Sequence, residues 1–295
     1  MTSSAVIQYL ISGLTLGSIY GMIALGFALI YNATGIVNFA QGEFVTLGAL
    51  IAISGSAWGL PMPAAVLAAV AAVTALAAAL EWGTIRPARR ASVITLIIIT
   101  VGASILLRGA AMWLWGPDPL PMRPFSGENP ISLGVAGATI LPQHLWIMGT
   151  LLVTMVTLSL LGEKTQLGKA LRATAVNREA ARLVGIPAER MVRLSFALSG
   201  LLGSLAGAIV APLSMGQYDM GIMLGLKGFA AAILGGMGSP PGAVLGGLLL
   251  GTLESLGAGL SPTGWSGYKD AIAFAIMLVV LMAKPTGLLG RGGKS

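Results

Sequence analysis

Residues 5–31 read AVIQYLISGLTLGSIYGMIALGFALIY and carry no charge. An α-helix needs about 20 mainly apolar residues to cross a hydrocarbon core of about 30 Å, and this run exceeds that. No Lys or Arg precedes it, because the first charged residue is Glu43. A cleavable leader would need a basic start and a shorter apolar segment, so the run reads as a first membrane span.

The rest of the chain follows the same rule. Of its 295 residues 56% are hydrophobic and 9% charged, where a water-soluble domain carries about 25% charged residues. Too few polar groups exist to cover a water-facing surface, so the bilayer is the solvent. Apolar runs bounded by Pro, Gly or charge place spans at 5–31, 36–55, 62–82, 92–115, 143–162, 194–213, 222–237, 241–260 and 267–284. The fold expected is an all-α polytopic transmembrane bundle of eight or nine spans, forming one domain over 1–295. The seventh run is short and Gly-rich, and could be a full span, a broken helix or a re-entrant segment.

Lys and Arg set the orientation. They cluster at Arg86, Arg89 and Arg90, then at Lys164, Lys169, Arg172, Arg178, Arg182, Arg190 and Arg193, and again at Lys284, Arg291 and Lys294. Nine spans put these thirteen on one side and Arg123 alone on the other. The expected topology is a multi-pass protein of the bacterial inner membrane with its N-terminus outside and its C-terminus cytoplasmic. The net charge of +7 is then a matter of topology and lipid contact, and no nucleic acid is needed to explain it.

Several chemistries are excluded. There is no cysteine and one histidine, His144, so neither a thiolate metal site nor a Ser-His relay is expected, and no metal or catalytic residue is assigned. Ala197-Leu198-Ser199-Gly200 falls short of an intramembrane Ser protease motif. Gly162 to Lys169 has the wrong spacing for a phosphate-binding loop, so this chain binds no nucleotide of its own. Small-xxx-small pairs at Gly13/Gly17/Gly21, Gly203/Gly207, Gly242/Gly246 and Gly247/Gly251 allow close helix approach. The loop at 116–142 holds Pro117, Pro119, Pro121, Pro124 and Pro130, which makes it semi-rigid.

Three constellations are candidates for function. In the basic loop 162–193, Asn177 caps a short helix over Arg178, Glu179, Ala180, Ala181 and Arg182, and Gly185 ends it. Its small face suits a groove on a soluble partner, although a juxtamembrane linker touching lipid headgroups would read the same. In span two, Asn38 and Gln41 share a face at i and i+3, and Glu43 lies about two turns from the inner end. Such a stripe either lines a cavity or bonds another helix. Arg108, Lys227, Glu254 and Asp270 lie in the outer half of the bundle, where opposite charges can neutralise one another.

The run Gly17-Ser18-Ile19-Tyr20-Gly21-Met22-Ile23-Ala24-Leu25-Gly26, with Gly35-Ile36-Val37-Asn38-Phe39-Ala40-Gln41-Gly42-Glu43 after it, resembles the LivH-type permease of branched-chain amino acid ABC importers. Leu234-Gly235-Gly236-Met237-Gly238-Ser239 before Gly242 resembles that family's Gly-rich turn, and 162–193 its coupling loop. The Glu-Ala-Ala-x3-Gly core is present, but Ser195 stands where the longer motif has Ile, and no Leu-Pro follows. The resemblance implies a non-catalytic subunit that forms the path with a second, LivM-like permease. Two cytoplasmic ATPase subunits would bind ATP and Mg, and a periplasmic or extracellular binding protein would deliver the substrate. Urea and short-amide importers use similar permeases. A stand-alone secondary transporter driven through Glu43, Glu254 or Asp270 is the other class of reading, and would have no use for the 162–193 helix.

Overall fold

In a computed structural model of the chain, residues 3–132, 134, 137–260 and 269–290 are described. The order is α1 (Ser3–Thr34), α2 (Gln41–Ala57), α3 (Met62–Leu80), α4 (Val93–Trp115), β1 (Ile131–Ser132), β2 (Thr139–Ile140), α5 (Pro142–Lys164), α6 (Gln166–Val176), α7 (Arg178–Leu183), α8 (Ala188–Ser214), α9 (Met220–Gly235), α10 (Pro240–Leu260) and α11 (Lys269–Ala283). A π-helical turn, Glu81–Ile85, continues α3 and closes with Arg86 N donating to Glu81 O at 2.8 Å. Among the described residues α1, α3 with its π turn, α4, α5, α8 and α10 are long and apolar enough to cross a membrane, while α9 is a shorter apolar helix.

Local chemistry sets the boundaries. Ser92 and Thr165 accept from the backbone N–H three residues on, at 3.2 and 3.0 Å, and so cap α4 and α6. Pro142 opens α5, where its missing N–H costs nothing. Gly35, Gly116 and Gly236 follow helix ends at positive φ.

α1 and α8 form the centre, with 83% and 72% of their most apolar stretches enclosed, against 17% for α4 and α5. α1 runs antiparallel to α10: Gly13, Gly17 and Gly21 meet Thr252, Leu248 and Val244 in turn. A Cβ on Gly17 would stand 2.7 Å from Leu248 Cα, so the seam requires glycine. Gly203 and Gly207 face Phe44 and Val45 of α2, and Gly242 and Gly246 face Gly235 and Ala231 of α9. Each small-residue pair read from the sequence therefore sits at a helix crossing. α4 and α5 present Ile98, Ile105, Leu106, Trp113, Leu152 and Val153 outward, as a lipid-facing or partner-facing surface does.

One sequence reading needs correction, and one left open is narrowed. Residues 35–40 are not helical, so α2 begins at Gln41 rather than near 36. Gly35 takes φ +72°, and Asn38 Oδ1 accepts from Ala40 N at 3.2 Å, a local turn that competes with the helix. Asn38 thus shares no helical face with Gln41, and Glu43 sits in the first turn of α2. The seventh run is one unbroken helix, α9, of 16 residues. At 1.5 Å per residue it spans about 24 Å, short of a full hydrocarbon core. Its Gly221 and Gly225 meet Gly42 of α2, Gly228 meets Ile23 of α1, and Gly235 meets Gly242 of α10.

The basic clusters gather at one end. Arg86, Arg89 and Arg182 surround Glu189, and Arg193 pairs with Glu81 at 3.2 Å. The C-terminal segment returns there, with Leu288 N donating to Leu234 O at 2.8 Å. Arg291 and Lys294 lie outside the described residues. At the opposite end the 116–142 segment packs onto the bundle. Leu120 pairs with Gly216 through two backbone bonds of 2.8 Å, Phe125 N donates to Gln143 Oε1 at 3.2 Å, and Gln143 Nε2 donates to Ile209 O at 2.7 Å.

Candidate functional site

The basic end carries a platform made of α6 and α7. Asn177 Oδ1 accepts from Ala180 N at 2.9 Å and caps α7. The helix stops in a paired C-cap: Ile186 N donates to Ala181 O at 2.9 Å and Gly185 N to Arg182 O at 3.0 Å, with Gly185 at φ +84°. Only a residue without Cβ takes that backbone freely.

The face that α7 presents differs from the sequence reading. Ala181 is buried, at 3%, inside its own chain, so it cannot form part of a small-residue face for a partner. Ala180 and Glu179 are exposed. The outward apolar groups are Leu183 at 90%, Val184 at 75% and Val176 at 87%. Counting apolar positions found the helix but not its roll, because the roll is set by what the platform rests on. That support is ionic. Glu189, at the start of α8, holds Arg86 (3.7 Å), Arg89 and Arg182 (3.8 Å), and so ties α7 to the loop after α3. Sequence reasoning passed over Glu189. Its signal was an acid standing among the bases of 178–193. Arg178 turns into the same cleft, lined also by Glu81, Arg86 and Glu189. Burial lowers its guanidinium below the usual range; Arg182 and Arg89 add to that, while Glu189 and Glu81 oppose it.

A second constellation lies where α2 begins. Gln41 bridges three helices: its Nε2 donates to Ser199 O at 3.3 Å, its Oε1 meets the Ser199 hydroxyl, and Ser199 Oγ also lies 3.0 Å from Gly26 O. Gln41 is therefore an interhelical strut. Glu43 Oε1 accepts from Ser104 Oγ of α4 at 2.9 Å, while Glu43 Oε2 and Asn38 Nδ2 are buried with no hydrogen-bond partner. Asn38, Gln41 and Glu43 are all inside, at 2% exposure or less. Phe39 N donates to Thr100 Oγ1 at 3.2 Å, and Gly221 N to Thr46 Oγ1 at 3.0 Å. α1, α2, α4, α8 and α9 thus converge on one polar zone within an apolar bundle. Unsatisfied polar atoms there are costly and mark groups that a conformational change or a water can engage.

The third set divides. Lys227 Nζ lies 2.8 Å from Glu254 Oε1, Tyr20 OH donates to Glu254 Oε2 at 2.9 Å, and Lys227 stands 5.6 Å from the Tyr20 ring centroid. This buried group ties α9 to α10 and α1. Arg108 does not join it; it is half-buried on α4 one turn beyond Ser104, within electrostatic range of Glu43. The side chain of Asp270 lies outside the described residues.

These features define an integral membrane subunit of permease type: an apolar helix bundle with a polar centre and a basic platform at one end. The chain belongs to the family described as the permease component of branched-chain amino acid transport systems, whose pattern matches residues 9–281. It is 34% identical over 302 residues to the high-affinity branched-chain amino acid transport system permease protein BraD of Pseudomonas aeruginosa, covering 97% of this chain and 96% of that one. It is 31% identical over 304 residues to LivH of Escherichia coli K12, with the same coverage. It is also 30% identical over 273 residues to the ribose import permease protein RbsC of Escherichia coli K12, covering 89% and 81%.

Proposed function

We propose that this chain is the membrane-spanning permease subunit of an ATP-driven importer of branched-chain amino acids. It forms the path together with a second permease chain, and receives its substrate from a binding protein outside the cell. The observation that carries this reading is the near end-to-end likeness to permeases of that substrate class. The ribose relative shows that likeness of this kind also extends to a sugar permease, so substrate choice is the part to be tested.

In this proposal α7 is where an ATPase subunit docks, on the cytoplasmic side, with the N-terminus of the chain outside. Leu183, Val184 and Val176 are exposed at the most basic end of the protein. Burying each against a partner is worth about 1.5–3 kcal/mol. Glu179 and Arg182 at the rim give register and selectivity more than affinity. The Glu189 cluster would carry a push on α7 to α3 and α8. Gln41, Glu43 and Asn38 sit where α2 meets α8 and α4, so a shift of α8 reaches the polar centre directly.

The test is uptake by the complete transporter in proteoliposomes that contain the binding protein, with labelled leucine competed by isoleucine, valine, ribose and urea. Isoleucine and valine should compete and ribose and urea should not. Competition by ribose or urea alone would reassign the substrate.

A further inference from the structure

A cavity of about 330 Å3 opens at the basic end between α1, α5, α6, α8 and the start of α10. It belongs neither to the polar centre nor to the outward face of α7. It is a slot along the bundle axis. Its lining runs from Leu25 to Ala33 on α1 and from Met155 to Glu163 on α5, a separation of eight positions on each, or about 12 Å at the helical rise. Its polarity is graded along that length. Leu25, Leu29, Met155, Leu158 and Leu198 line the deep part, whereas Asn32, Glu163 and Arg172 stand at the mouth. None of those three side chains forms a hydrogen bond or ion pair with another described residue. α6, which walls the mouth, lies directly after a span and carries Lys169 and Arg172 beside Leu167 and Leu171. That pattern belongs to a helix lying in the membrane surface.

We propose that this slot holds one bilayer phospholipid with a primary ammonium in its headgroup, of the phosphatidylethanolamine type. An acyl chain occupies the apolar length. The phosphate accepts from the Arg172 guanidinium and the Asn32 amide, and the ammonium donates to the Glu163 carboxylate. Basic pockets between helices at the cytoplasmic surface bind phospholipid headgroups. The acid at this mouth is what selects the class. A purely anionic headgroup would meet Glu163 unfavourably, and a quaternary ammonium has no N–H to give it. A free amino acid carries its charges next to its side chain and would fill only the mouth. Lodged between α1, α5 and α6, the lipid would brace the platform that bears α7.

The proposal is tested on the complete transporter, delipidated and then titrated in native mass spectrometry. The probes are phosphatidylethanolamine, phosphatidylcholine and phosphatidylglycerol with identical chains. One tightly held phosphatidylethanolamine is expected, preferred over phosphatidylcholine by about tenfold, the effect of one charge-assisted hydrogen bond. Glu163→Gln, an exposed change that leaves the core untouched, should equalise the two. Leu158→Trp should fill the slot and remove the retained lipid. Equal retention of all three lipids by the wild type would mean an unselective lipid shell and overturn the proposal. So would a preference that survives Glu163→Gln, or displacement of the lipid by free leucine, which would assign the slot to an amino acid.

Discussion

Adding a single methyl group at Gly17 should unseat α1 from α10. An alanine Cβ there would lie 2.7 Å from Leu248 Cα, 2.8 Å from Gly247 O and 3.0 Å from Leu248 O. All three atoms are backbone, so no side-chain rotation relieves the contact, and the two helices must part. Overpacking of this kind costs about 1–3 kcal/mol, and rigid neighbours place this site toward the upper end. The proper control is Gly149→Ala on α5, where nothing lies within 4 Å of the added carbon. Both substitutions gain the preference of a helix for Ala over Gly, about 1 kcal/mol, so that contribution cancels in the comparison. Gly149→Ala should match or exceed the wild type in stability and Gly17→Ala should fall below it. Unfolding of the purified protein in a graded SDS titration reads the difference. If Gly17→Ala is as stable as Gly149→Ala, the α1–α10 seam is not packed as described.

Glu254→Gln keeps an acceptor for Tyr20 but removes the carboxylate from Lys227, and should cost about 3–5 kcal/mol in the same titration. The double variant Lys227→Met, Glu254→Leu should recover much of that loss, and additive losses would show that the pair is not coupled. Glu189→Gln should release α7 from the loop after α3 while changing global stability by only about 1 kcal/mol, since the cluster is partly solvated. Hydrogen exchange across 178–186 should rise, and unchanged exchange would remove Glu189 as the tie. Val176→Cys, on an otherwise cysteine-free chain, should react with a membrane-impermeant thiol reagent only after cells are opened. Labelling of intact cells would invert the proposed orientation.

Hydropathy was enough to find the long apolar helices α1, α3, α4, α5, α8 and α10, because a hydrocarbon solvent imposes length and apolarity on every crossing helix. The small-residue pairs were legible for a related reason, since glycine in a membrane helix marks close approach. What hydropathy could not convey was where α2 begins. Residues 35–40 are apolar enough to continue a span, and only Gly35 and Asn38 mark the turn. The roll of α7 was hidden as well. Ala180 and Ala181 look alike in sequence, yet one is exposed and the other buried, and α7 is held by the ion cluster at Glu189, three segments of chain brought together by folding. Arg108 was grouped with Lys227, Glu254 and Asp270 by depth alone. Depth does not give azimuth, and α4 turns Arg108 toward the Glu43 region.

The central claim is that ATP hydrolysed by a partner moves this permease through the outer face of α7. Leu183→Asp with Val184→Asp tests it, because both positions are exposed and surface changes of this kind alter stability by only about 0.5 kcal/mol. The measurement is ATP-driven leucine uptake by the reconstituted transporter, read beside its ATPase rate. The account predicts that the variant inserts and folds as the wild type does but loses uptake by about tenfold or more, as expected when apolar contacts worth at least 1.4 kcal/mol are removed from an interface. The ATPase rate should cease to respond to the substrate-loaded binding protein. Uptake and ATPase stimulation at wild-type levels would contradict it.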